Sequence, residues 1–237
     1  MKNVLTSLKG INYWEGEPGF NLGFVREGYL NKITSALGNK LIKVIIGQRR
    51  SGKSYIVRQI IHHLITHKAV SPQNIFYLNK EMYEFEPVKT DSDLAALFQL
   101  YRQQIKPQGK VYILIDEIQD IEGWEKIVVS LAQHATEEYE VFITGSNSRL
   151  LSGELASHLS GRYLLFEVFP FSYSEFLRFF SFQNTKENLI RYVQTSGLPE
   201  IYNIDSIDIH RHYFQSLKDT ILLKDIMHRH NIRDYVL

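Results

Sequence analysis

A short β-branched run, Leu41-Ile42-Lys43-Val44-Ile45-Ile46, ends in Gly47, and Gly52-Lys53-Ser54 then opens the apolar-periodic stretch Tyr55-Ile56-Val57-Arg58-Gln59-Ile60-Ile61. A strand that must become a helix within one glycine-bounded turn leaves few folds open. The spacing is G-x-x-x-x-G-K-S in strand–loop–helix context, the P-loop pattern. Its glycines let backbone N–H groups converge on phosphate oxygens. The helix start adds unpaired donors and a partial positive charge. Gly47, Gln48, Arg49, Arg50, Ser51, Gly52, Lys53, Ser54 and Tyr55 are therefore the candidate nucleotide-binding residues. Lys53 is expected to reach the β- and γ-phosphates, and the Ser54 hydroxyl to ligate Mg²⁺. Arg49 and Arg50 could touch phosphates or a neighbouring loop.

The same strand–helix rhythm continues. Asn74–Asn79, Val111–Asp116, Glu140–Ser146 and Arg162–Phe169 read as strands. Arg26–Leu37, the stretch from the P-loop to about His67, Asp91–Ile105, Trp124–Ala135 and Ser148–Ser160 read as helices. Nearly continuous apolar strands are the mark of parallel strands covered on both faces. The alternation predicts an α/β fold with a central, mostly parallel sheet flanked by helices. Beyond Pro170 no strong strand appears; Ser172–Phe180, Lys186–Thr195 and Ile207–His230 predict a small helical C-terminal region. The expected organisation is an irregular N-terminal arm over 1–23, a nucleotide-binding domain over 24–170 and a helical extension over 171–237. The helical pattern reaches Leu237 without a stop signal, so the chain is expected to be part of a longer protein.

Ile113-Leu114-Ile115-Asp116-Glu117 ends a buried strand in two carboxylates, at the end of the strand where α/β sheets place ligands. Asp116 is the candidate Mg²⁺ residue beside Ser54. Glu117 is the candidate catalytic base, polarising water for in-line attack on a γ-phosphate. The tip Thr144-Gly145-Ser146-Asn147 suits a strand between the P-loop strand and the Asp116 strand. Ser146 and Asn147 are the candidate γ-phosphate or water contacts, with Thr144 in reserve; helix capping is the competing reading of the same residues. Arg162, opening the last strand, could be an arginine finger or half of a structural ion pair.

Composition narrows the partners. The formal net charge of +1 gives nucleic acid no global support, and zero cysteines exclude disulfides and thiolate metal sites. The N-terminus lacks the apolar core of a signal peptide. No apolar run approaches the roughly 20 residues that span a bilayer. A cytoplasmic protein with no membrane partner is expected.

The ordered set Gly47–Ser54, Ile115-Asp116-Glu117-Ile118-Gln119, Thr144–Ser148, Gly161-Arg162 and Pro170-Phe171-Ser172-Tyr173-Ser174-Glu175-Phe176 resembles the AAA-type ATPase domain of a large prokaryotic ATP-binding protein family. The resemblance covers about residues 24–200, and Ser196–Glu200 and Leu223–Ile226 resemble that family's connecting segment. It implies Lys53 and Ser54 on nucleotide and Mg²⁺, Asp116 on Mg²⁺, Glu117 as base, and a further C-terminal domain of poorly known function. The resulting expectation is an ATPase acting as a switch or motor module, with a protein partner or further copies of the chain. A nucleotide-binding adaptor with little turnover and a small-molecule P-loop kinase are the alternatives. A GTPase would want N-K-x-D, and Asn79-Lys80-Glu81 lacks its Asp.

Overall fold

The computed structural model describes residues 2–16, 19–146, 159, 161–198, 200–201, 204 and 206–220. The apolar runs form β1 (Ile42–Gly47), β2 (Ile75–Asn79), β3 (Val111–Asp116), β4 (Tyr139–Ser146) and β5 (Tyr163–Glu167). β1 and β2 are buried along their whole length, as strands with helices on both faces must be. Every pairing is parallel, in the order β2-β3-β4-β1-β5. β4 therefore lies between the P-loop strand and the Asp116 strand, where its small polar tip placed it.

The helices before and between the strands are α1 (Lys2–Ile11), α2 (Glu27–Thr34), α3 (Lys53–Lys68), α4 (Asp91–Ile105) and α5 (Trp124–Ala132). From β1 the chain crosses two strands through α3 to reach the edge strand β2; α4 and α5 then step back toward the centre. Right-handed crossovers running in opposite directions lie on opposite faces. The packing of α3 with α2, and of α4 with α5, agrees. α4 spans the expected residues. Thr90 is its N-cap, in a capping box with Asp93.

The N-terminal segment is not an irregular arm. Val4, Leu5, Leu8 and Ile11 share one buried face of α1, which packs on α4 and β2. That spacing is helical in the sequence itself; the Gly, Asn and Pro residues after it obscured the pattern. α6 (Tyr173–Phe180), α7 (Lys186–Thr195) and α8 (Ile207–Thr220) form the helical extension. Phe171 and Phe176 are buried, with Phe24 5.4 Å from Phe171 and Tyr192 5.5 Å from Phe176 between ring centres. These aromatic side chains thus join α6 and α7 to the segment before α2. The expected Ser148–Ser160 helix, and the last helix beyond Thr220, lie outside the described residues.

Candidate functional site

Gly47 ends β1 where nothing larger fits: a Cβ there would lie 2.7 Å from Ser51 Oγ and against the Val168 carbonyl oxygen. The chain then passes through Arg50 (φ 64°) and Gly52 (φ 93°), both left-handed. Glycine adopts that geometry freely, and a residue with a Cβ pays about 1 kcal/mol for it. Gly52 caps α3 without a side chain, so no capping side chain claims the first-turn N–H groups. Lys53 is only 5% exposed. Its ammonium donates to the carbonyl oxygens of Gly47 (3.1 Å) and Gln48 (3.3 Å) and lies 3.4 Å from Glu117 Oε1.

The β3–β4 register pairs Ile115 with Ile143, which sets Thr144 beside Asp116. The Thr144 hydroxyl donates to Asp116 Oδ1 and accepts the Glu117 N–H at 3.0 Å. One buried hydroxyl thus holds the Asp116 carboxylate and the backbone of Glu117. Glu117 is itself left-handed, at φ 55°, a strained geometry of the kind that collects at functional sites. Its Oε2 accepts from the Gln119 amide at 2.5 Å. Asp116 is fully buried, and its Oδ2 makes no hydrogen bond. Burial pushes its carboxyl above the ordinary range, and the charge of Glu117 adds to that; the Ser54 and Thr144 hydroxyls and Lys53 pull the other way.

A third carboxylate joins them. Glu81 lies two residues past the tip of β2, and its carboxyl is raised by burial, then by Glu117 and Asp116, against the pull of Lys53 and Arg49. Its distance from Arg49 is 3.9 Å. Arg50 turns instead to the helical extension: it lies 3.7 Å from Glu200, and its guanidinium carbon is 5.3 Å from the centre of the Tyr213 ring. Arg49, Arg50, Lys53, Ser54, Tyr55 and Glu117 all line one cleft of about 860 Å³, which Tyr213 and Leu217 of α8 also border.

The structure does not bring every candidate there. Arg162 stands at the start of β5, where its carbonyl oxygen accepts from the Ile42 N–H. That is the opposite end of β1 from Gly47. With its amide oxygen turned toward the guanidinium, Gln133 accepts from Arg162 at 2.6 and 2.8 Å. The backbone of Ser146 pairs with Gly47 in the β1–β4 register, and Asn147 lies outside the described residues. Among the strand-tip candidates, Thr144 is the one whose side chain is seen on the carboxylates. Glu81 and Arg26 were missed by the sequence reading. Glu81 had one usable signal, its place just after a buried parallel strand; Arg26 had none nearby.

A family described as AAA domain matches residues 39–177. An uncharacterized protein of Haemophilus influenzae is 37% identical over 213 residues, covering 88% of this chain and 52% of that protein. The chain spans about half the length of the curated relatives it matches. Among solved structures, the Walker-type ATPase of Pyrococcus abyssi superposes with a TM-score of 0.55 at 14% identity, over 89% of this chain and 76% of that one. AMPPCP-bound DnaA of Aquifex aeolicus superposes with a TM-score of 0.51 at 15% identity, over 87% and 71%. These likenesses concern the fold, a P-loop NTPase sheet; the match over 39–177 goes further. With its P-loop, its paired strand-tip carboxylates and that match together, the chain belongs to the AAA domain family.

Proposed function

We propose that this chain binds ATP together with Mg²⁺ and hydrolyses it to ADP and phosphate. The observation that carries the reading is the convergence of Lys53, Ser54 and Glu117 on one cleft at the C-terminal ends of β1 and β3, with the buried Asp116 beside the Ser54 hydroxyl beneath it. Three carboxylates, Asp116, Glu117 and Glu81, gather around Lys53 and Arg49. A polyphosphate entering that cleft needs a further cation. Asp116 fits one: a buried carboxylate oxygen without a hydrogen bond, near the Ser54 hydroxyl. Among the described residues no group of three or more His, Cys, Asp or Glu could hold a metal by itself. That suits Mg²⁺, which keeps waters and phosphate oxygens as ligands. Bound there, Mg²⁺ would neutralise charge on the phosphates.

The chain's own residues then divide the work. Loop N–H groups and the Lys53 ammonium bind phosphate oxygens, which compete with the Gly47 and Gln48 carbonyls and with Glu117 for that ammonium. Once Lys53 turns to phosphate, Glu117 Oε1 is free to accept a water proton. The water oxygen bonds to the γ-phosphorus as the bond to the ADP oxygen breaks, and Glu117 takes the proton. Gln119 and Thr144 keep the carboxylate and its backbone in place. The hydrolysis cycle would drive a switch or motor module acting on a protein partner or on further copies of the chain.

Phosphate release and ATP affinity, measured for wild type, Lys53→Ala and Glu117→Gln, test the proposal. Glu117→Gln should bind ATP as wild type does and turn it over roughly 10²–10⁴-fold more slowly. Turnover at the wild-type rate would remove Glu117 as the base. Lys53→Ala should lose most of the affinity, and unchanged binding would sink the P-loop reading. Binding without phosphate release by wild type would mark a nucleotide-binding adaptor instead.

A further inference from the structure

Arg26 is 2% exposed, and every one of its five guanidinium N–H donors is used. Nε and Nη2 donate to the two oxygens of Glu175, each at 2.8 Å. Nη1 donates to the carbonyl oxygens of Ser51 (3.1 Å) and Phe169 (2.8 Å), and Nη2 also to that of Pro170 (3.3 Å). The Tyr29 and Phe171 rings lie 4.4 and 5.3 Å from its central carbon. Glu175 Oε2 in turn accepts the Ser172 N–H at 2.9 Å, closing the capping box of α6. One buried side chain therefore fastens the start of α2, the P-loop, the strap at 169–170 and the first turn of α6.

The Ser51 contact reaches the loop's chemistry through the peptide bond. A trans peptide is planar, with its C=O and N–H pointing in opposite directions. Holding the Ser51 oxygen against the buried guanidinium fixes the direction of the Gly52 N–H, beside the cleft that Arg26, Gly52 and Lys53 line. Ser51 itself lies between two left-handed residues, Arg50 and Gly52.

We propose that Arg26, held by Glu175, is a positioning residue for the P-loop, fixing the Ser51–Gly52 peptide for phosphate and tying it to the first turn of α6. The proposal rests on the nucleotide reading of the loop given above. It also accounts for Glu175 within Pro170–Phe176, a motif the hydrolytic chemistry leaves unused. Lysine cannot substitute, because one ammonium has three donors for five acceptor atoms.

Glu175→Gln keeps the shape and removes the charge; Arg26→Lys keeps the charge and removes the fork. Amide hydrogen exchange over 48–54 and over the central strand 111–116, without nucleotide, is compared with wild type. Affinity for ATP with Mg²⁺ is then titrated. Exchange should speed up over 48–54 by clearly more than over 111–116, which follows the global stability, and affinity should fall about tenfold, the scale of one charge-assisted hydrogen bond. Equal acceleration in both segments, or none over 48–54, would overturn the proposal, since a purely structural pair loosens the whole fold or nothing local. If Arg26→Lys fails to fold, Glu175→Gln alone decides by the same readouts. Exchange accelerated more over 48–54 than over 111–116, with no ATP binding even by wild type, would uphold the clamp and refute the nucleotide assignment.

Discussion

Asp116 shows what a fully buried carboxylate costs its own fold. Its folded carboxyl titrates above the ordinary value of 3.8, chiefly because of burial, so the folded state holds the proton more tightly than the unfolded one. The stability tied to that proton is complete at low pH and is lost as pH rises through the raised value. Ionising the folded side chain therefore opposes folding. Asp116→Asn keeps the acceptor for Thr144 and removes the charge. Its melting temperature without nucleotide should exceed that of wild type, while the gain on adding ATP with Mg²⁺ should shrink. A lower melting temperature for the Asn variant would contradict the burial argument. Thr144 illustrates the same scale from the other side: a hydroxyl held in reserve among the strand-tip candidates becomes, one strand away from Asp116, the group that holds the Asp116 carboxylate and the Glu117 N–H.

Among the elements, α1 and the turn after it do more than cover the sheet. β2 is an edge strand, and an open edge invites pairing with other chains. Asn12 closes it. Its amide donates to the Tyr77 carbonyl oxygen and accepts the Tyr77 N–H, at 2.9 and 2.8 Å. Trp14 Nε1 adds a hydrogen bond to the Ile75 carbonyl oxygen at 2.7 Å. Removing the Asn12 amide strands two buried backbone groups, each at about 1–3 kcal/mol. Asn12→Ala should therefore lose about 2–6 kcal/mol in denaturant unfolding and scatter more light on heating. Lys9→Ala, on the exposed side of α1, should stay within about 0.5 kcal/mol of wild type. Equal losses for the two would mean that the edge is held by something else.

The molecule as a whole is pinned by two buried carboxylates that join distant segments. Burial alone would raise Glu175, but the hydrogen bonds from Arg26 and Ser172 outweigh it and hold its carboxyl below the ordinary 4.5. Glu140, against the same burial, is held down by hydrogen bonds from Lys110 and Lys43 and by the Gly38 N–H. A depressed carboxyl binds its proton less tightly when folded, so its stabilising share is complete above the unfolded value of 4.5 and lost as pH falls through the lower folded value. Unfolding free energy should thus decline below about pH 4.5. Glu175→Gln should flatten part of that decline; an acid limb identical to wild type would show that Glu175 takes no share in it.

What was legible in the chain was what is local. The P-loop, the Asp116-Glu117 tip and the alternation of β and α elements depend on neighbours a few residues apart, so spacing and side-chain type suffice to read them. Even the place of β4 followed, because a small polar strand tip suits the gap between phosphate loop and carboxylates. The helix α1 was equally local, and its Val4-Leu5-Leu8-Ile11 spacing was present but overshadowed by the loop-forming residues behind it. Tertiary structure alone decided the rest: Arg26 meets Glu175 across 149 residues, Arg50 meets Glu200, and Arg162 stands at the far end of β1 from the phosphate loop. Those outcomes depend on strand order and on which helix covers which face. Such contacts form only once the whole sheet has closed, and no window of sequence contains the energy that selects them.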